Sequence, residues 1–292
     1  MSSKSYHAPQ SLAEAAILLR ANEGCHILAG GTDLLVQMRG GAKQANCIVD
    51  IKAIPGMTDV SLDASGLTLG AAAPAQSVTE RDDIKAIFPG IVEAIDLIGS
   101  TQVQGRCSVG GNLCNSSPAA DTVPALIASS ALCNISGPDG ERQIPVEAFT
   151  TGPGQNCLEP GEILTSLFIP APAARSADAY LRFIPRTEMD IAVVGAGVAL
   201  TLDEDGTCIA ARVAIGAVAP TALLVPEAAK ALIGSNLDEA ALEAASEAAS
   251  AAANPISDKR GSADFRCTVV GVMTKRAAVI AKDRALRAGQ ES

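Results

Sequence analysis

Two glycine pairs restrict this chain more than any other feature. Gly30-Gly31 sits in AGGTD (Ala29 to Asp33), and Gly110-Gly111 in SVGGNLCNSSPAAD (Ser108 to Asp121). Each pair stands where a strand or loop meets the start of a helix. Glycines there can turn several backbone N–H groups toward one point, and their missing Cβ atoms let an anion approach closely. A helix N-terminus adds partial positive charge. Thr32, Ser108, Asn112 and Ser116 supply neutral donors suited to phosphate oxygens. Two such segments in one domain can clamp a pyrophosphate without a single lysine; as bare Gly-Gly pairs they are equally readable as two tight turns. Neither matches G-x-G-x-x-G or G-x-x-x-x-G-K-[ST], so an ordinary Rossmann or P-loop reading fails.

The flanking patterns place these loops. Ser11 with Glu14 three residues on forms a capping box before an amphipathic helix to Ala21. A buried strand follows over His26 to Ala29, and Thr32 or Asp33 is placed to cap the helix LLVQMR. Strands are expected at 47–51 and 67–71, and helices at 76–87, 90–98 and 118–129. Residues 131–136 and 141–146 read as a hairpin about the GPDG turn, with another strand at 163–169. The unpatterned PAPAARSAD (Pro170 to Asp178) is the best linker. Beyond it come three β-like runs, 180–184, 191–202 and 208–218, then helices at 226–233, 238–252 and 262–287. These predict a compact sheet of about three strands with helices on one face. The Ala-rich EAALEAASEAASAAA has the period of an amphipathic helix with a small-residue contact face. Apolar residues make up 48% of the chain but aromatic ones only 2%, so the core must be built from Ala, Val, Ile and Leu.

Several function classes drop out. A net charge of −10 opposes nucleic-acid binding. No apolar run reaches the roughly 18–20 residues of a membrane span, and MSSKSYHAPQ lacks the order of a secretion signal. A soluble, cytoplasmic protein is expected. The eight cysteines contain no C-x-x-C pair and are expected to be reduced thiols. With only His7 and His26 besides, no metal site and no Ser-His-Asp chemistry is expected; both histidines read as structural and Cys114 as a small buried filler. Arg186 and Glu188 suit a salt bridge or a partner contact.

Four segments carry a family resemblance. AGGTDLLVQMR and SVGGNLCNSSPAADTVPALIA resemble the two FAD-binding loops of the medium subunits of the xanthine dehydrogenase and carbon monoxide dehydrogenase family, the molybdenum hydroxylases. RFIPRTEMDIAVVGAGVAL (Arg182 to Leu200) resembles the strand pair opening their C-terminal domain, and PISDKRGSADFRCTVVGVMTKRA (Pro255 to Ala277) its last helix. The resemblance implies an α+β fold: a two-subdomain FAD-binding domain of the PCMH/vanillyl-alcohol-oxidase-like kind over 1–172 (subdomains about 1–56 and 57–172), then a smaller α+β C-terminal domain over 178–288 with a three-stranded sheet and helices. It implies that Ala29, Gly30, Gly31, Thr32, Asp33 and Leu34, with Ser108, Gly110, Gly111, Asn112 and Ser116, line the FAD pyrophosphate and ribityl chain. Asp121 would bond sugar or ribityl hydroxyls, and Leu164 would pack near the flavin or adenine. Arg182 falls where a cation would favour reduced flavin, and Asp190-Ile191 where the chain faces the isoalloxazine ring. No catalytic acid or base is implied here.

The same resemblance implies partners. A large molybdopterin-binding subunit oxidises the substrate, and a small subunit with two [2Fe–2S] clusters passes electrons to FAD on this chain, in a dimer of heterotrimers. FAD then hands them to NAD, a quinone or oxygen. The sequence departs from the family at Gln104-Gly105-Arg106-Cys107-Ser108, where members often have R-N-R-G-T, and at Ile191, where carbon monoxide dehydrogenases tend to have Tyr; the latter leans toward the xanthine dehydrogenases. Two rivals stand beside this reading: a self-sufficient FAD-dependent oxidoreductase, and a non-redox nucleotide-binding assembly module.

Overall fold

The fold is that of a computed structural model describing residues 5–186 and 189–289. It begins with a small parallel sheet, in which β3 (Cys47–Asp50) lies between β1 (Ser5–His7) and β2 (Cys25–Leu28). Helix α1 (Leu12–Ala21) makes the crossover between β1 and β2. Its predicted box forms in part: Ser11 Oγ accepts from the Glu14 amide at 3.2 Å, while Glu14 Oε2 accepts from Gln10 N, one residue before the cap, at 3.0 Å. Helix α2 (Leu34–Arg39) follows the first glycine loop. Neither residue expected to cap it does so. Asp33 holds the cap position in helical geometry with no side-chain bond, and the sharp turn is made instead by Gly31, at φ +79°.

The second sheet is antiparallel, in the order β4 (Val60–Asp63), β5 (Gly66–Gly70), β10 (Ile163–Pro170), β6 (Leu132–Gly137), β7 (Gly140–Pro145). The hairpin about GPDG is β6–β7, closed at Gly137 and Gly140. Between β5 and β6 the chain forms short helices. The helix expected over 76–87 is two, α3 (Gln76–Thr79) and α4 (Asp82–Ile87). Arg81 between them is extended and spends its guanidinium on the Val60 carbonyl and Asp83. Next come α5 (Pro89–Asp96), α6 (Thr101–Gln104), α7 (Val109–Asn115) and α8 (Thr122–Ala128). The helix expected from Pro118 starts four residues later, because Ser116 takes a left-handed conformation at φ +52° that ends α7 and redirects the chain. A two-residue ladder, β8 (Thr150–Gly152) with β9 (Gln155–Asn156), precedes β10.

The connection between the halves is shorter than PAPAARSAD. Strand β11 (Ser176–Phe183) already includes Ser176, Ala177 and Asp178. It pairs with β12 (Val194–Leu202), which pairs with β13 (Cys208–Gly216); a two-residue edge, β14 (Leu223–Leu224), makes the sheet four-stranded. Val194, Val198, Val213 and Ile215 face a core shared with α9 (Pro226–Leu232), α10 (Glu239–Ala252) and α11 (Ala263–Ala288). The opposite face is covered by α8 of the first half, and the glycines explain how. A Cβ on Gly197 would meet the Pro124 carbonyl oxygen at 2.7 Å, and one on Gly216 the Pro124 ring at 2.6 Å. The two halves are also joined by polar ties. Buried Asp178 accepts from the Gly90 and Ile91 amides at the start of α5, at 2.9 and 3.2 Å. Glu93 on α5 accepts from the Tyr180 amide and pairs with Arg284 on α11.

Small side chains do the packing that aromatics do elsewhere. Helices α10 and α11 pack on each other, with Ala245, Ser246 and Ala249 of the first and Gly271, Thr274, Ala277 and Ala278 of the second buried, as the small-residue face predicted. A Cβ on Gly271 would lie 2.4 Å from Ser250 Oγ and 2.8 Å from the Ser246 carbonyl oxygen. All eight cysteines are free thiols.

Candidate functional site

A cavity of about 380 Å³ opens between the parallel sheet and the antiparallel one, within the range of small-ligand sites. Both glycine loops line it. Ala29, Gly30, Gly31, Thr32, Asp33 and Leu34 line it from the first loop, Ser108, Gly110, Gly111 and Asn112 from the second, and Leu164 at the start of β10 lines it as well. The loops touch directly. A Cβ on Gly30 would overlap the Arg106 carbonyl oxygen at 1.8 Å, and one on Gly110 would lie 2.4 Å from the Ala71 carbonyl oxygen. These two glycines are therefore required by the protein's own backbone. Gly111 differs: its Cβ would meet Ser108 Oγ at 2.9 Å and Ala29 Cβ at 3.9 Å, inside the gap between the loops.

The donors match what a pyrophosphate needs. Among the described residues the amides of Gly31, Thr32 and Asp33 make no hydrogen bond to the protein. Ser108 Oγ accepts from the Gly111 amide at 3.0 Å, which leaves its own proton free, and Asn112 Oδ1 accepts from Thr122 Oγ1 at 2.7 Å, which leaves its amide N–H groups free. Loss of water raises the Asp33 carboxyl above its ordinary range, with Lys43 opposing. An extended ligand rich in acceptors fits this cradle, and one buried atom is left wanting a partner: Gln37 Oε1. The residues present fit FAD.

Five residues placed on the cofactor by resemblance do not line this cavity: Ser116, Asp121, Arg182, Asp190 and Ile191. Ser116 is buried, and its hydroxyl donates to the Leu113 carbonyl at 3.2 Å. Asp121 is engaged by the protein itself, accepting from Tyr180 Oη at 3.1 Å and from Arg182 at 2.9 Å. Burial pushes its carboxyl up to about 6 in spite of Arg182. Arg182 also binds the Leu97 carbonyl oxygen at 3.0 Å, next to Ile98, which does line the cavity. Asp190 is bonded to Arg186 through both oxygens at 3.0 Å, which holds it down to about 2, and Ile191 is exposed. Arg186 thus pairs with Asp190, while Glu188 lies outside the described residues.

Lining residues not singled out in the sequence include Gln37, Asn115 and Asn156. Gln37 and Asn115 each stand four residues beyond a loop residue, Asp33 and Gly111, so helical periodicity carried the signal. Asn156 is brought in only by the β8–β9 ladder. Cys107 and Cys114 also line the cavity, and burial pushes their thiols up to about 11 and about 12. Among the described residues no group of His, Cys, Asp or Glu could hold a metal ion, and no helix is long and apolar enough to cross a membrane.

The comparisons agree along the whole chain. Residues 2–172 match the FAD binding domain in molybdopterin dehydrogenase, and residues 179–280 the CO dehydrogenase flavoprotein C-terminal domain. The chain is similar to the carbon monoxide dehydrogenase medium chain of Afipia carboxidovorans, 33% identical over 281 residues, 96% of this chain and 97% of that one. It is similar to the xanthine dehydrogenase FAD-binding subunit of Escherichia coli O157:H7, 32% identical over 274 residues, 93% of this chain and 94% of that one. Overall identity therefore does not reproduce the lean toward xanthine dehydrogenases suggested by Ile191. A chain of the reconstituted CO dehydrogenase from Oligotropha carboxidovorans superposes with a TM-score of 0.92 at 33% identity, covering 97% of this chain and 98% of that one. A chain of quinoline 2-oxidoreductase from Pseudomonas putida 86 does so at 0.88 and 29%, with the same coverage. With its paired glycine loops, its C-terminal sheet and matches spanning both halves, the chain belongs to the FAD-binding medium subunits of the molybdenum hydroxylase family.

Proposed function

We propose that this chain is the electron-relay subunit of a heterotrimeric molybdenum hydroxylase, holding FAD between its two glycine loops. The observation that carries the reading is the facing pair of loops, with unspent amides at Gly31, Thr32 and Asp33 opposite the free donors of Ser108 and Asn112. Ala29, Gly30, Leu34, Gly110 and Gly111 shape the cradle, and Leu164 packs against the bound group. Asp121 and Arg182 act from behind the wall. Asp121 fixes Tyr180 and Arg182, its neighbour Thr122 orients Asn112, and Arg182 holds the strand of chain leading to Ile98. The flavin-ring end is assigned to that side of the cavity, toward Asp190 and Ile191, and Ser116 shapes the turn after α7.

FAD, when bound, accepts electrons singly and releases them singly or in pairs. In this reading they come from two [2Fe–2S] clusters on a small subunit, originate at a molybdopterin centre on a large subunit, and leave to NAD, a quinone or oxygen. The assembly is a dimer of such heterotrimers in the cytoplasm, a compartment that suits eight free thiols. We assign the cofactor domain to 1–172, in subdomains of about 1–56 and 57–172, and the C-terminal domain to 178–288; the separate sheets support this division.

The cofactor is held without a covalent bond. Neither glycine loop contains a histidine, attack by a cysteine requires its thiolate, and burial keeps Cys25, Cys107 and Cys114 protonated. The purified chain is expected to absorb near ~450 nm as flavoproteins do, to release all its flavin on acid precipitation, and to contain neither iron nor molybdenum. Flavin retained in the precipitate contradicts the non-covalent assignment, and a colourless protein that takes up no FAD contradicts the cofactor itself.

A further inference from the structure

One buried side-chain oxygen among the cavity's lining residues has no partner. Gln37 Nε2 donates to Asn115 Oδ1 at 2.8 Å. Its Oε1 is buried and unbonded. A buried amide oxygen without a donor is costly, so such an atom marks the place of a ligand group that donates. Both residues line the cavity.

Their position says which part of the ligand that is. Gln37 is on α2 and Asn115 at the end of α7, each four residues past a glycine-loop residue, or ~6 Å along a helix. The clasp therefore lies beyond the pyrophosphate cradle rather than in it. All the lining residues come from the first half of the chain, and one of them, Ile98, follows Leu97, whose carbonyl is tied to Arg182 of the second half. Asn156, which donates to the Cys114 carbonyl at 3.2 Å, joins the clasp from the β8–β9 ladder. We propose that Gln37, held by Asn115, reads the adenosine half of FAD, its Oε1 accepting a hydrogen bond from the adenine amino group or a ribose hydroxyl. This rests on the assignment of the cavity to FAD.

The test is a titration of the full-length, flavin-stripped chain with FAD and with flavin hypoxanthine dinucleotide, whose base carries a carbonyl oxygen in place of the amino group. Flavin fluorescence reports Kd. Gln37→Met keeps the side chain's length and removes the acceptor, and it raises Kd for FAD about tenfold. Asn115→Leu, which frees the Gln37 amide to turn, raises it by a smaller factor and carries the test if the first variant does not fold. If the amino group is the donor, the wild-type chain binds the hypoxanthine dinucleotide about tenfold more weakly than FAD, and Gln37→Met treats the two alike. If a ribose hydroxyl is the donor, Gln37→Met weakens both equally. Wild-type affinity for FAD in the folded variants overturns the proposal. A wild-type chain that binds no FAD overturns the assignment of the cavity instead.

Discussion

At the scale of single residues, the two glycine pairs divide into positions needed by the protein and positions needed by its ligand. Gly30→Ala drives a methyl into the Arg106 carbonyl and separates the loops. It is expected to cost about 3 kcal/mol of stability and to lose bound FAD, both measurable by denaturation and flavin content. Gly111→Val places its branches in the gap beside Ser108 Oγ, so it is expected to lose FAD while giving up only ~1 kcal/mol with the disturbed cap. Normal flavin content in folded Gly111→Val would remove that residue from the site. Its helical backbone carries no positive φ, which belongs to Gly31. The buried Asp121 gives a pH signature. Its folded pKa, about 6, stands above the ordinary 3.8, so as pH rises the unfolded chain gives up this proton first. The contribution to stability is therefore whole below about pH 4 and lost as pH passes through about 6. Urea midpoints should show the wild-type chain losing ~3 kcal/mol relative to Asp121→Asn across that window; a gain would reverse the assignment. The glycine loops were legible because their residue types are unusual at a strand-to-helix junction. Asp121 and Arg182 were legible as important residues but not as a pair with each other, since their contact spans 61 positions of sequence and depends on how the second half docks.

At the scale of elements, long periodic segments were legible and short ones were not. Helices α10 and α11, and strands β12 and β13, lie close to where their patterns place them. Strands β1 and β4 were missed because three or four residues carry too little pattern; β1 exists through its parallel pairing with β3, and β4 through β5. The divided helix at Arg81 was missed for a related reason, since the break serves a bond to Val60 that local sequence does not announce. The Ala-rich contact face makes a sharp prediction. Gly271→Val sets a branched side chain against the α10 backbone and is expected to cost about 3 kcal/mol, read as a lower unfolding midpoint. The flavin cavity is lined wholly by the first half, so FAD affinity of the folded fraction should stay within about twofold of wild type, well under the tenfold that 1.4 kcal/mol represents. A loss of FAD affinity equal to the loss of stability would show that the halves act as one unit in holding the cofactor.

At the scale of the molecule, the chain belongs to a family of FAD-binding subunits, and among its described residues no group of His, Cys, Asp or Glu could hold a metal ion. In the proposed relay the substrate chemistry belongs to the partner subunits. The interdomain ties through Asp178, Glu93 and Arg284, and the seating of α8 against Gly197 and Gly216, fix the second half on the first. That rigidity suits a relay, in which distances between cofactors matter more than motion. A self-sufficient flavoenzyme and a non-redox assembly module both differ from this account in one observable. The measurement is anaerobic loss of flavin absorbance near ~450 nm when an oxidisable heterocycle or aldehyde is added, with and without the large and small subunits. Substrate-dependent bleaching is expected in the three-subunit complex and none in the isolated, FAD-loaded chain. Bleaching of the isolated chain by substrate, or an unbleached flavin in a complex whose molybdenum centre is being reduced, would contradict the relay role.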